Sequence, residues 1–285
     1  MSLHDIDNRR AIIDRRAIAD RLAALKPGKQ LNRDASAILR EALDGGRAEI
    51  ARRLVEDPGR GRAAAEATAF LHDQLVRVAY EFAAPPGDGF ALVGLGGTGR
   101  GEMAPFSDLD LMVLTAAAPA PAQERVAEAI FHLLWDLKLK VGHSVRSVTE
   151  LIALARTDMT IRTAFLEARW LWGDQKAFGL AMARFRKEVV AGSAAEFVSA
   201  KLAERDERHV KVGDSRYVVE PNIKDGKGGL RDLHTLYWIG KYVHGVERPA
   251  DLVGAGLFTA AEFRRFDRAE RFLWSVRCQI GRAHV

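Results

Sequence analysis

Cysteine is nearly absent. Cys278 is the only one in 285 residues, so no internal disulfide framework is possible and packing must hold the core. A chain without disulfides fits a reducing compartment. No uncharged apolar run approaches the roughly 20 residues that cross a bilayer, so no membrane-spanning helix is expected. The opening stretch "MSLHDIDNRRAIIDRR" carries acids and lacks an apolar h-region, so no secretory signal is expected. These absences together give the expectation of a cytoplasmic protein. Internal repeats are missing too, and low complexity is confined to "TAAAPAPA" (Thr115–Ala122), which reads as a surface loop.

What is present is ordinary globular material, 48% hydrophobic and 28% charged, enough for one large domain or several small ones. Lys and Arg number 43 against 38 Asp and Glu, a formal charge of +5. That excess is mild. The arginines interleave with acids, as in "RAEIARRLVED", so they read as solvated helix faces rather than a nucleic-acid stripe. No nucleic acid and no membrane is expected among the partners.

Ile12 to Ala84 reads as helix, with Leu71, Leu75, Val78 and Phe82 at helical period. Gly45-Gly46 and "DPGRG" (Asp57–Gly61) are expected to divide it into separate helices. "APPGDG" (Ala84–Gly89) ends it, because tandem prolines cannot continue a helix. Two short apolar runs follow, "FALVGL" and "LDLMVL", both strand candidates. A helix is expected over Gln123–Leu139 and a third strand over Lys140–Val148. From Thr149 helices dominate again, interrupted at Trp172–Asp174 and by the polar, glycine-rich Val219–Asp232. The expected fold is α+β and mostly helical: an N-terminal helical region (1–86), a small α/β core (87–150) and a C-terminal helical domain (151–285).

The chemistry is concentrated in "FALVGLGGTGRGEMAPFSDLDLMVL", Phe90–Leu114. Gly94, Gly96 and Gly99 spell G-x-G-x-x-G after a strand, the dinucleotide fingerprint. Its context is wrong. "APFSD" leaves little room for a crossover helix, and the acids stand at the start of the next strand rather than at its end. On a strand, residues two apart share a side, so Asp108 and Asp110 project together while Leu109 and Leu111 pack the other way. Neighbouring carboxylates raise each other's pKa unless a cation lies between them. Mg²⁺ accepts such oxygens together with substrate phosphates. A glycine turn at Gly96 and Gly97 lets main-chain N–H groups approach a triphosphate. Arg100 and Ser107 are placed to add charge and a hydroxyl.

"GLGGTGRGEMAPFSDLDLMVL" resembles the signature of the nucleotidyltransferase superfamily that includes DNA polymerase β. Its detailed form is similar to the bacterial PII uridylyltransferase/uridylyl-removing family, as are "VGHSVRS" (Val141–Ser147), "TAFLEARWLWGD" and "VEPNIKDGKGGLRDLHTLYWI" (Val219–Ile239). The resemblance spans roughly Phe90 to Val243. It implies a small polymerase β-like sheet with flanking helices, and Mg²⁺-dependent transfer of UMP from UTP to a tyrosine of the PII signal protein, with pyrophosphate leaving. Asp108 and Asp110 would bind the metal and act in catalysis. Gly96, Gly97 and Ser107 would hold the triphosphate. The residues of the Val219–Ile239 stretch leave two readings open: Lys224 or Arg231 faces the triphosphate across a cleft and offsets its charge, or the stretch is a helix N-terminus in which Asp232 balances the dipole and Arg231 pairs with a nearby acid. Two alternatives stay open: an adenylyltransferase of the glutamine synthetase type, and a non-catalytic nucleotide-binding fragment.

Two departures matter. The third strand, Gly142-His143-Ser144-Val145-Arg146, supplies no third carboxylate. Either the site works with two aspartates or another acid, such as Glu167, approaches in space. His143 is a tempting base, since imidazole titrates near neutrality, but a lone His in a strand is more often a packed residue, and the base stays unassigned. The family also continues into phosphohydrolase and ligand-sensing domains, whereas this chain shows no H…HD…D metal set. The terminal "IGRAHV" reads like a translated sequencing adapter, which gives the expectation of a gene fragment. Trp170, Trp172 and Trp238 fall among apolar neighbours and are expected in the core.

Overall fold

The computed structural model describes residues 6–83, 89–213 and 220–283. Four helices come first: α1 (Arg9–Ile12), α2 (Arg15–Ala23), α3 (Leu31–Glu56) and α4 (Gly61–Ala83). The middle of the chain holds β1 (Ala91–Gly94), α5 (Gly96–Arg100), β2 (Leu109–Thr115), α6 (Pro121–Asp136), β3 (Val141–Ser147), α7 (Val148–Thr157), α8 (Met159–Leu166) and β4 (Arg169–Gly173). Then come α9 (Gln175–Phe185), a π-helical turn at Arg186–Val190, α10 (Ala194–Lys211), α11 (Leu230–His244), α12 (Asp251–Gly254) and α13 (Ala260–Ala283).

The strands form one sheet in the order β3-β2-β1-β4. β1 runs antiparallel to both β2 and β4, and β2 runs parallel to β3. The antiparallel β1–β2 pair excludes the dinucleotide fold, which needs parallel neighbours joined by a crossover helix. The alternation of side chains explains the two-sided core. Leu92, Leu109, Leu111 and Val113 pack with Leu39, Leu71, Leu75, Ile130 and Leu134 of the N-terminal helices and α6. Ala91, Val93, Met112 and Leu114 point the other way and pack with Val148, Ile152, Phe165, Phe185 and Trp238.

Three expectations need correction. Gly45-Gly46 does not divide a helix, because α3 runs straight through it. Gly46 instead allows close packing: a Cβ there would stand 2.5 Å from Leu71 Cδ1 and 2.8 Å from the Ile12 carbonyl. The strand β4 lay hidden in a stretch expected to be helical up to Trp172. Its residues Trp170 and Trp172 are half-buried rather than core, and Trp172 lies beneath the Arg77 guanidinium at 3.4 Å. Trp238 is core, at 3% exposure. The boundary expected at Ala84–Gly89 falls almost wholly outside the described residues, as do Val219 and the final two residues. α4 does stop at Ala83, and the expected break at Asp57–Gly61 separates α3 from α4.

Candidate active site

Asp108 stands just before β2 and Asp110 is its second residue, both exposed at the strand's start. By alternation their side chains fall on the Met112–Leu114 side of the sheet, beyond the end of that core. Two glycines make the space. Gly96 opens α5 at φ 52°, in the left-handed region that favours glycine, and a Cβ on it would meet Asp110 Oδ2 at 3.2 Å. Gly142 pairs with Asp110 across the β2–β3 ladder, and a Cβ there would meet Asp110 Oδ1 at 2.7 Å. Burial, and then the neighbouring Asp108, push the Asp110 carboxyl above its ordinary value of 3.8, while Lys224 and Arg100 pull it back.

These carboxylates open into a cavity of about 500 Å³. Gly96, Gly97 and Arg100 of α5 line one wall, and Ser107 lines it beside Asp108. Lys224, in the loop before α11, and Arg231, in that helix's first turn, form the opposite wall. Every residue expected from sequence therefore reaches one space. The cavity also has contributors that the sequence did not disclose, chiefly Arg277 of α13 and His234 of α11. A faint signal existed for Arg277, since Trp274, Arg277 and Gly281 share one helical face of α13. His234 is 7% exposed with Nε2 unpartnered, and burial plus four surrounding cations lower its pKa well below 6.5.

The cations differ in how they are held. Arg100 is committed: its Nη1 donates to both oxygens of Glu167, at 2.8 and 2.7 Å. Glu167, 4% exposed, spends its carboxylate there and lines a separate, larger cavity, so it does not replace the missing third acid. Arg231 lies 3.4 Å from Asp225. Burial, and then Arg231, lower the Lys224 amine, as burial lowers Arg277. Asp232 organises the same loop, accepting from Gly228 N at 2.7 Å and meeting Arg208 and His209. His143 is excluded as a base here. It points to the other sheet face and packs against Phe131 and Trp135, with ring centroids at 4.7 and 5.3 Å.

The donor set fits a divalent cation that arrives with its own oxygens. Among the described residues no group of three His, Cys, Asp or Glu could hold a metal. Two carboxylates supply only part of a hard cation's shell, and phosphate oxygens and water normally complete it. His72-Asp73 spells the H-D pair, yet His72 is 1% exposed and Asp73 is ion-paired to Arg169, so no metal site forms there. Phe106, beside Ser107, takes φ 63°, and Arg47 covers its ring at 4.8 Å. A bulky residue in that region costs on the order of 1–3 kcal/mol, a strain that clusters at functional loops.

A nucleotidyltransferase family model, DUF294, matches residues 47–143, and the GlnD PII-uridylyltransferase model matches residues 196–282. The first range contains Asp108 and Asp110 and the second contains Lys224, Arg231 and Arg277, so the cavity joins the two. The bifunctional uridylyltransferase/uridylyl-removing enzyme of Novosphingobium aromaticivorans is 52% identical over 96% of this chain. Those of Azospirillum brasilense and Rhodospirillum rubrum are 48% and 45% identical over 97% and 98% of it. Along nearly its whole length the chain is thus similar to part of these enzymes. It spans about a third of its relatives' length, 31% of each of these three. Nucleotidyltransferases of this kind work with a divalent metal. No helix among the described residues is long and apolar enough to cross a membrane.

Proposed function

We propose that this chain carries the nucleotidyl-transferring part of a PII uridylyltransferase, moving UMP from UTP to a tyrosine of the PII signal protein and releasing pyrophosphate, with Mg²⁺ as the metal, in the cytoplasm. The observation that carries this reading is the sharing of one cavity by two adjacent carboxylates, a glycine turn and a cationic loop from a distant part of the chain. We keep the division into 1–86, 87–150 and 151–285, with the cavity between the second and third units.

In this reading the tyrosine hydroxyl releases its proton to water as its oxygen attacks the α-phosphorus of UTP, and the bond from that phosphorus to the pyrophosphate oxygen breaks. Asp108 and Asp110 hold Mg²⁺, which when bound supplies positive charge against the phosphate oxygens. Gly96 and Gly97 let the triphosphate lie against the main chain, where a side chain would obstruct it, and Ser107 offers a hydroxyl. Lys224, Arg231 and Arg277 offset charge gathering on the departing pyrophosphate. Arg100, fixed by Glu167, adds positive charge without needing to reorganise.

The test is labelling of purified PII by the chain with each of the four α-labelled nucleoside triphosphates, with and without Mg²⁺. Transfer from UTP alone, dependent on Mg²⁺ and accompanied by pyrophosphate release, supports the proposal. Transfer from ATP instead makes it an adenylyltransferase. Tight UTP binding with no transfer makes it a nucleotide-binding regulatory fragment.

A further inference from the structure

The stretch "LEAR" (Leu166–Arg169) enters the chemistry above only through the hold of Glu167 on Arg100. Its arginine is the first residue of β4, and it grips the end of α5. Arg169 donates from Nε to the Gly99 carbonyl at 3.1 Å and from Nη2 to the Thr98 carbonyl at 2.6 Å. The last carbonyls of a helix have no partner within it; here Gly101 N reaches the Thr98 carbonyl at 3.2 Å, and Arg169 adds a second bond to it and takes up the Gly99 carbonyl. The same guanidinium binds Asp73 of α4 on both oxygens, at 2.7 and 3.0 Å. Glu167, two residues earlier, holds Arg100 at the same helix end.

Thr98 carries this grip onward. It is 1% exposed, and its Oγ1 accepts the N–H of Asp110 at 3.1 Å. The Asp110 carbonyl accepts from Leu95 N at 3.0 Å. The β1 ladder ends with Gly94 opposite Leu111, so Asp110 lies one residue past it. Leu95 and Thr98 therefore give Asp110 the main-chain bonds that a regular strand pair no longer supplies on that side. A carboxylate at a strand end would otherwise move with the fraying of that end.

We propose that Asp73, Arg169 and Thr98 form a strut that fixes Asp110 in height against the glycine turn, making them positioning residues for the cation and triphosphate. The strut rests on the reading of Asp110 as a cation-holding group. It assigns to α4, otherwise a helix of the N-terminal core, a direct part in setting the site.

The test uses Thr98→Val, which keeps the shape and removes the acceptor, and Thr98→Ser, which keeps the hydroxyl. Binding of Mn²⁺·UTP is measured by calorimetry, and exchange of the Asp110 amide by NMR. Supporting partners behind ligating groups are typically worth roughly 10–100-fold in metal affinity. Thr98→Val is expected to bind Mn²⁺·UTP at least about tenfold more weakly, with faster Asp110 exchange and a nearly unchanged melting midpoint. Thr98→Ser restores both. Arg169→Lys, which keeps the charge toward Asp73 but cannot span both carbonyls, is expected to weaken binding likewise and stands in should the valine variant not fold. Wild-type affinity in a folded Thr98→Val whose Asp110 amide exchanges faster, or in a folded Arg169→Lys, overturns the strut. A wild-type chain that binds no Mn²⁺·UTP overturns the site reading itself, a separate failure.

Discussion

Gly142 faces Asp110 across the parallel β2–β3 pair, so closely that a single methyl on it would stand 2.7 Å from Asp110 Oδ1. The third strand thus gives the site room rather than a third acid. Gly142→Ala is expected to fold normally, since alanine suits a strand better than glycine does, while pushing the Asp110 carboxylate aside. Misplacement of about 1 Å can cost on the order of 100-fold in rate, so a loss of that order in UMP transfer is expected. Steady-state kinetics beside a melting curve checks it.

The Arg100–Glu167 pair is nearly closed to water, with side chains 13% and 2% exposed. Removing one partner of such a pair strands a buried charge and costs about 3–5 kcal/mol. Glu167→Ala is therefore expected to lower the melting midpoint by roughly 10 °C, measured by thermal unfolding, and to lower nucleotide affinity as Arg100 loses its fixed position.

Arg277 was invisible to motif reading, yet it lines the cavity beside Lys224. A charge-assisted hydrogen bond to phosphate is worth about 1.5–3 kcal/mol, so Arg277→Ala is expected to weaken UTP binding about tenfold or more, with a shallower salt dependence. Calorimetric titration at two ionic strengths reads both.

Glu270 gives a pH prediction. It is 4% exposed and lies 3.0 Å from Arg62, and burial together with Glu102 pushes its pKa from 4.5 up to about 7. The folded protein keeps this proton up to about pH 7, whereas the unfolded chain releases it near 4.5. The folded state then binds more protons in that window, so stability falls as pH rises through it. The loss is on the order of 1–3 kcal/mol. Relative to Glu270→Gln, the wild type is expected to be more favoured at pH 5 than at pH 8, measured by urea denaturation at both values.

Much of this was legible in the sequence, for reasons that differ by element. Asp108 and Asp110 were readable because strand alternation alone puts them on one side. The glycine turn was readable from spacing, and the dinucleotide decoy fell on the missing crossover. β4 was not readable. "RWLWG" is too short for periodicity to separate it from its helical neighbours, and only its pairing with β1 makes it a strand. Gly45-Gly46 misled because a glycine needed for close helix packing looks the same in sequence as one that ends a helix. Glu167 stands in the sequence as a candidate third acid and Arg169 has no role there, and their hold on the end of α5 appears only once the fold brings that helix against them.

The central claim is that Asp108 and Asp110 together hold the cation that carries a nucleotide's phosphates. Calorimetric titration of the wild-type chain, Asp108→Asn and Asp110→Asn with UTP, in the presence and absence of Mg²⁺, tests it most directly. The account predicts Mg²⁺-dependent binding in the wild type that is lost in both variants, with melting midpoints at least as high as the wild type's because a charge repulsion has been relieved. Mg²⁺-dependent binding of wild-type strength in either variant would contradict it.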